Sequence, residues 1–272
     1  MAREISKDMQ LCISLAARPS NTGTRFHNFL FAALDLPYLY KAFAPVDLAD
    51  AVRGIRGLPI RGAAVSMPYK AAVIPLIDAL DASAAEIGAV NTIVNSDGVL
   101  RGYNTDVIAV EQLLQQHAVR PDVPVALLGS GGMASACASA LARRGFDKVT
   151  IVARNRQAGC ALADRHGWSW QQQAEPRYSV LINATPVGMA DGEDSTRMPV
   201  PSEVVEHAEV VFDVIAYPPD TPLMRFAESR GIQTISGALV MTLQAVEQFV
   251  LYTGVRPPAD LIERAAAHSR SV

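Results

Sequence analysis

The run Val125-Ala126-Leu127-Leu128-Gly129-Ser130-Gly131-Gly132-Met133-Ala134 constrains this chain more than any other segment. It places four apolar residues, then three glycines, ahead of an alanine-rich stretch that continues to Arg144. The apolar run Val123 to Leu128 reads as a buried strand, and Met133 to Arg144 as a helix. Glycines between them allow a tight turn and close approach of a ligand to the backbone. The free N–H groups at the helix start then favour negative charge there. The string G-S-G-G-M-A is a variant of G-x-G-x-x-G/A, with Ala134 in the third, helix-packing position. A glycine turn can also be a plain connection in an α/β fold. Here strand, turn and helix come in the order that dinucleotide binding requires.

The rest of the chain extends this pattern in both directions. Downstream, strands are expected at Val149 to Val152, Val180 to Ala184, Val210 to Val214 and Gln233 to Ile235. Continuously apolar strands separated by helical stretches imply a parallel sheet covered on both faces. Upstream, Leu11 to Leu15, Tyr38 to Phe43 and Ile60 to Ser66 read as strands, and Arg25 to Leu34 and 47–57 as helices, the latter opening on Asp47. Helical residues follow around Tyr69 to Leu76 and after Asp81. Asn91 to Val94, Asp97-Gly98 and Val99 to Gly102 spell a hairpin with a type I′ turn. At 272 residues the chain has room for two modest domains. The expected fold class is therefore α/β: an N-terminal α/β domain over 1–103, joined by helices at about 238–272, and a doubly wound Rossmann-type domain over 104–237. The helix Gly237 to Thr253 and the one after Pro258 are expected to pack on the first domain.

Charge narrows the partners. With 24 basic residues against 27 acidic ones and a net charge of -3, no basic field points to nucleic acid or an anionic membrane. No apolar run is long enough to span a bilayer, and Met1-Ala2-Arg3-Glu4 leads to no signal-type core, so a cytoplasmic protein is expected. The three cysteines, Cys12, Cys137 and Cys160, lack metal or disulfide spacing, and the five histidines are scattered; no metal site is expected.

The end of the second nucleotide-type strand bears on which dinucleotide is bound. An NAD site generally carries Asp or Glu about 20 residues after the glycines, on the ribose hydroxyls. This chain has Ala153-Arg154-Asn155-Arg156-Gln157 there, and no carboxylate before Asp164. Arginine pairs bidentately with phosphate, so Arg154 and Arg156, flanking Asn155, point to NADP, with NAD as the weaker alternative. Solvated loop arginines would give the same letters.

In the first domain, Val65-Ser66-Met67-Pro68-Tyr69-Lys70 closes a buried strand and opens a helix, which places a lysine at the carboxyl edge of a sheet. Ala89-Val90-Asn91-Thr92 and Tyr103-Asn104-Thr105-Asp106 add an amide, hydroxyls and a carboxylate. By spacing alone these residues are equally good turn formers and caps.

These segments together resemble the shikimate dehydrogenase family. V-S-M-P-Y-K is similar to the family's V-T-V-P-x-K. A-V-N-T, N-T-D, I-N-A-T-P-x-G-M at 182–189, T-P at 221–222 and S-G-A-L-V-M-T-L-Q at 236–244 follow in the family's order across nearly the whole chain. The resemblance implies a substrate domain, an NADP domain and an active site in a cleft between them. It implies that Lys70 is the catalytic lysine and Asp106 its carboxylate partner, that Ser66, Asn91 and Gln244 bind substrate, and that Thr185, Met189 and Gly237 lie on the cofactor side. With the turn itself, the implied cofactor residues are Gly129, Ser130, Gly131, Gly132, Met133, Ala134, Arg154, Asn155 and Arg156.

Three departures place the chain in a divergent shikimate dehydrogenase-like branch. The family's S-x-S-P becomes Asn21-Thr22-Gly23-Thr24, leaving Asn21 and Thr22 as candidate substrate ligands. The tyrosine of D-x-x-Y becomes Ala216, and N-R-T becomes Ala153-Arg154-Asn155. The expected activity is NADP-dependent oxidation of shikimate, or of a close ring carboxylate, by a monomer or homodimer. Quinate or aminoshikimate are alternative substrates. A non-catalytic dinucleotide sensor is the competing class, although a sensor would need no lysine–carboxylate pair.

Overall fold

The computed structural model describes residues 5–190 and 192–270, so Met1-Ala2-Arg3-Glu4 lies outside the described residues. The chain forms two compact units. One joins the segment ending at Thr105 to the segment beginning at Thr242; the other runs from Asp106 to Met241.

In the first unit the elements are β1 (Gln10–Leu15), α1 (Thr22–Ala33), β2 (Tyr38–Phe43), α2 (Leu48–Gly57), β3 (Gly62–Val65), α3 (Tyr69–Ala72), β4 (Ala79–Leu80), α4 (Ala82–Ala85), β5 (Thr92–Ser96) and β6 (Val99–Tyr103). The sheet order is β2-β1-β3-β5-β6-β4. Strands β1, β2 and β3 are parallel, but β5 runs antiparallel to both β3 and β6, so the sheet is mixed. The hairpin turns through Asp97 and Gly98, both at positive φ as a type I′ turn demands. Asp47 caps α2 by accepting from the Asp50 N–H at 2.7 Å, and Val52 and Ile55 bury that helix's apolar stripe.

The second unit contains α5 (Thr105–Gln116), β7 (Val125–Leu128), α6 (Gly132–Arg143), β8 (Val149–Val152), α7 (Arg156–His166), β9 (Ser169–Gln171), β10 (Val180–Asn183), α8 (Ser202–Glu206), β11 (Val210–Asp213), α9 (Pro222–Ser229) and β12 (Gln233–Ser236). All six strands are parallel in the order β12-β11-β10-β7-β8-β9. Every residue of β7, β8, β10 and β11 is buried, which is why those segments read as unbroken apolar runs. From β7 the chain winds outward through β8 and β9 on one side, and later through β10, β11 and β12 on the other. The carboxyl end of β7 is thus a switch point, where open α/β sheets take their ligands.

Two helices then complete the first unit, α10 (Gly237–Thr253), which enters that unit at Thr242, and α11 (Ala259–Arg270). Val246, Phe249, Tyr252, Leu261 and Ala265 join Phe26, Leu30, Phe31 and Tyr40 in one buried cluster. His27 sits inside it, stacked on Tyr40 at 4.5 Å between ring centroids, and burial pushes its imidazole down to about 3. It is a packed ring rather than a ligand. Among the described residues no helix is long and apolar enough to cross a membrane.

Candidate functional site

The glycine turn leaves β7 at the switch point. Gly129 takes φ +110°, and a Cβ there would stand 2.9 Å from the Ala184 carbonyl oxygen, so the turn presses directly on the end of β10. Its N–H donates to the Val152 carbonyl at 2.8 Å, which ties the turn to the end of β8 as well. Gly131 is the N-cap of α6 and offers no side-chain cap. A Cβ on Gly131 or Gly132 would meet nothing within 4 Å. The first N–H groups of a helix have no partner inside it, and Gly131 at the start of α6 has open space beside its Cα. Ala134 is fully buried and Met133 half-buried, both in the first turn of the helix.

A cavity of about 740 Å³ lies here, lined by the glycine turn, Arg154, Asn155, Gln172, the stretch Ala184 to Val187, and Asp194, Arg197, Met198 and Pro199. The donor set fits a nucleotide: a backbone cradle that a Cβ at Gly129 would disturb, a helix start, and an exposed arginine. Asn155 is also the N-cap of α7, accepting from the Ala158 N–H at 3.1 Å. Arg156 is not in the lining. It opens α7, with its guanidinium 5.6 Å from the Trp170 ring centroid. The second arginine on the cavity is Arg197, which adjacency in sequence gives no means of finding. Met189 is exposed nearby in sequence but outside the lining. Gly237 is buried where a Cβ would stand 2.3 Å from the Val214 carbonyl group, so it lets backbones meet rather than contacting this cavity.

Beneath Thr185 lies a buried polar chain. The Thr185 N–H and hydroxyl donate to Asn183 Oδ1 at 3.1 and 2.7 Å. Asn183 Nδ2 donates to Asp213 Oδ1 at 3.1 Å. Asp213 also accepts from the Ile215 N–H at 3.1 Å and from Thr221 Oγ1 at 2.6 Å. Burial pushes Asp213 up to about 6, against three donors that favour its charged form. The letters of I-N-A-T, D-V-I-A and T-P were visible in the sequence; their convergence on one carboxylate was not.

The first unit gathers a different set. Asn91 is buried, with Oδ1 accepting from Thr92 Oγ1 at 2.9 Å, the Thr105 N–H at 2.9 Å and Thr105 Oγ1 at 3.2 Å. Its Nδ2 donates to Gln244 Oε1 at 3.4 Å, so two of the candidate amides meet. The Asn91 carbonyl accepts from the Val65 N–H at 2.8 Å, beside exposed Ser66. Half-buried Lys70 lies on α3, and its carbonyl accepts from the Val90 N–H at 2.8 Å, one residue before Asn91. Lys70, Ser66, Asn91 and Gln244 thus belong to one neighbourhood at the sheet's edge. Asn21 is exposed at the start of α1 and makes no side-chain cap; Thr22 is that helix's first residue. Asp106 is buried in the first turn of α5, where its charge adds to the burial that pushes the Cys137 thiol up to about 12.

Residues 20–93 match the model of the shikimate dehydrogenase substrate binding domain. Over 98% of its length the chain is 47% identical to a shikimate dehydrogenase-like protein of Haemophilus influenzae, covering 99% of that protein. The solved structure of a shikimate 5-dehydrogenase-like protein superposes with a TM-score of 0.97 at 46% identity, over 98% of this chain and 100% of that one. Shikimate 5-dehydrogenase of Thermus thermophilus, crystallised with NADP(H) and shikimate, superposes with a TM-score of 0.85 at 28% identity, over 96% and 99% of the two chains.

Proposed function

Since the chain belongs to the shikimate dehydrogenase family, we propose that it is an NADP-dependent oxidoreductase interconverting a ring hydroxyl and the corresponding ketone on shikimate or a close ring carboxylate. One observation carries this: a chain with a glycine-cradled, arginine-bearing cavity also keeps Lys70 in hydrogen-bonded register with the Asn91–Gln244 pair. A nucleotide sensor needs the first and has no use for the second.

Lys70 takes the hydroxyl proton as the carbon is oxidised, and returns it in the reverse direction. The family resemblance gives Asp106 the role of the lysine's carboxylate partner, while Asn91, just before β5, and Gln244, on α10, hold the neighbouring ring hydroxyls through their amide groups. Asn91 can do this with little motion, because its Oδ1 is already saturated by three donors. A bound dinucleotide would supply the hydride acceptor. Arg154 would hold its distinguishing phosphate, and the first N–H groups of α6 would hold the pyrophosphate.

Substrate identity has moved within this class. Where the family offers two serines, this chain offers Asn21, exposed and uncapped, and Gly23; where it offers a tyrosine, this chain has half-buried Ala216. Loss of two hydrogen bonds to a carboxylate costs about 3 to 6 kcal/mol before compensation. Steady-state rates on shikimate, quinate and aminoshikimate with NADP and NAD test this. We expect turnover with NADP, a low kcat/KM on shikimate, and an increase for shikimate in Ala216→Tyr. No hydride transfer to any ring carboxylate, even in a single turnover, would leave the sensor as the better description.

A further inference from the structure

The cavity beside the glycine turn carries a charge pair that the loop after β8 does not supply. We propose that Arg197 is a second cofactor-specificity residue, sharing with Arg154 the recognition of the phosphate that distinguishes NADP from NAD. This rests on the NADP assignment above and extends it to a segment with no glycine motif.

Strands β8 and β10 are the two neighbours of β7, and Arg154 and Arg197 stand on the loops that leave them, on either side of the strand bearing the glycine turn. Both line the same cavity. Arg197 is not a freely moving surface cation. Its Nη1 donates to Asp194 Oδ1 at 2.7 Å, and its N–H donates to the Asp194 carbonyl at 3.1 Å. The same carbonyl accepts from the Gly188 N–H at 3.0 Å, so Asp194 closes the excursion after β10 and fixes the base of the arginine at once. The guanidinium has five N–H donors, and the Asp194 contact through Nη1 occupies one of them, leaving others for a phosphate. Its side chain is 72% exposed, so it is reachable by a ligand in the cavity.

Asp194 matters for a second reason. A carboxylate on a nucleotide cavity normally serves NAD by accepting from the adenosine ribose hydroxyls. Asp194 is the acidic residue of this lining, and it is already committed to Arg197. Two arginines against one acid leave the lining positively biased, the balance that suits an added phosphate.

The test is binding, not turnover. Dissociation constants for NADPH and NADH are measured by nucleotide fluorescence on wild type, Arg154→Ala, Arg197→Ala and Arg197→Lys at one salt concentration. Arg197→Ala should weaken NADPH by about tenfold or more, as expected for a lost charge-assisted hydrogen bond, and leave NADH nearly unchanged. Arg197→Lys, which keeps the charge and loses the fork, should recover part of that loss. If wild type prefers NADPH but Arg197→Ala shifts both nucleotides equally or neither, Arg197 has no part in specificity and the NADP assignment still stands. If wild type binds NADH as tightly as NADPH, the cofactor assignment fails and this inference with it.

Discussion

Asp213 shows how one side chain ties the cofactor side of the molecule to pH. It is fully buried, accepts from Thr221, Ile215 and Asn183, and through Asn183 fixes the Thr185 loop that lines the cavity. Its folded pKa of about 6 lies above the ordinary value of 3.8. Between those values the unfolded chain is ionised while the native carboxyl stays protonated. Stability from this group is therefore complete below about pH 4 and is lost as pH rises through 6, by roughly 3 kcal/mol at about 1.4 kcal/mol per unit. Relative to Asp213→Asn, wild type should lose thermal stability across that window and show no further difference above it. A stability difference independent of pH between 4 and 7 would mean that Asp213 stays ionised throughout. Sequence could not reveal this residue's weight, because its three partners lie 2, 8 and 30 positions away, and only the fold brings them to one carboxylate.

At the scale of elements, the glycine turn separates two roles that a motif string conflates. Gly129 is required by conformation and by the Ala184 carbonyl against it, whereas Gly131 has φ −85° and open space where a Cβ would go. Gly129→Ala should therefore destabilise the second unit. Gly131→Ala should leave Tm nearly unchanged and weaken NADPH by about tenfold or more, since the added methyl occupies the space a phosphate needs. A drop in Tm for Gly131→Ala comparable to that of Gly129→Ala, measured by thermal melts, would contradict this division. The nucleotide-type strands and α6 were legible because buried parallel strands read as apolar runs. Helix α7 was not. It begins within the arginine segment that read as a loop and carries Gly159 in its middle, a residue that suggests a break. The structure gives the reason: a Cβ at Gly159 would stand 2.3 Å from the Trp170 ring, so the glycine serves a contact between α7 and β9. Strands β4 and β9 are too short to carry a sequence pattern, and α5 is masked because Asn104, Thr105 and Asp106 suit a turn as well as the helix they lead into. Adjacency in sequence pairs Arg154 with Arg156, but Arg156 opens α7 with its guanidinium over Trp170, and Arg197 lines the cavity beside Arg154 from far along the chain.

At the scale of the whole molecule, the proposed function has the chain keeping residues for proton transfer and nucleotide binding while differing from the family's pattern at Asn21, Gly23 and Ala216. The order of its segments made the family legible, because each short motif marks a strand end and strand ends are where an α/β sheet presents chemistry. In the proposed function this chain remains an enzyme with Lys70 as its proton-transfer group. The most direct test is kcat on the best ring carboxylate for wild type and Lys70→Ala, with NADPH affinity measured on the same samples. Lys70→Ala should lower kcat by about 10²- to 10⁴-fold, the usual contribution of a general acid or base, with NADPH binding essentially intact. Near-normal turnover in a folded Lys70→Ala protein would contradict it.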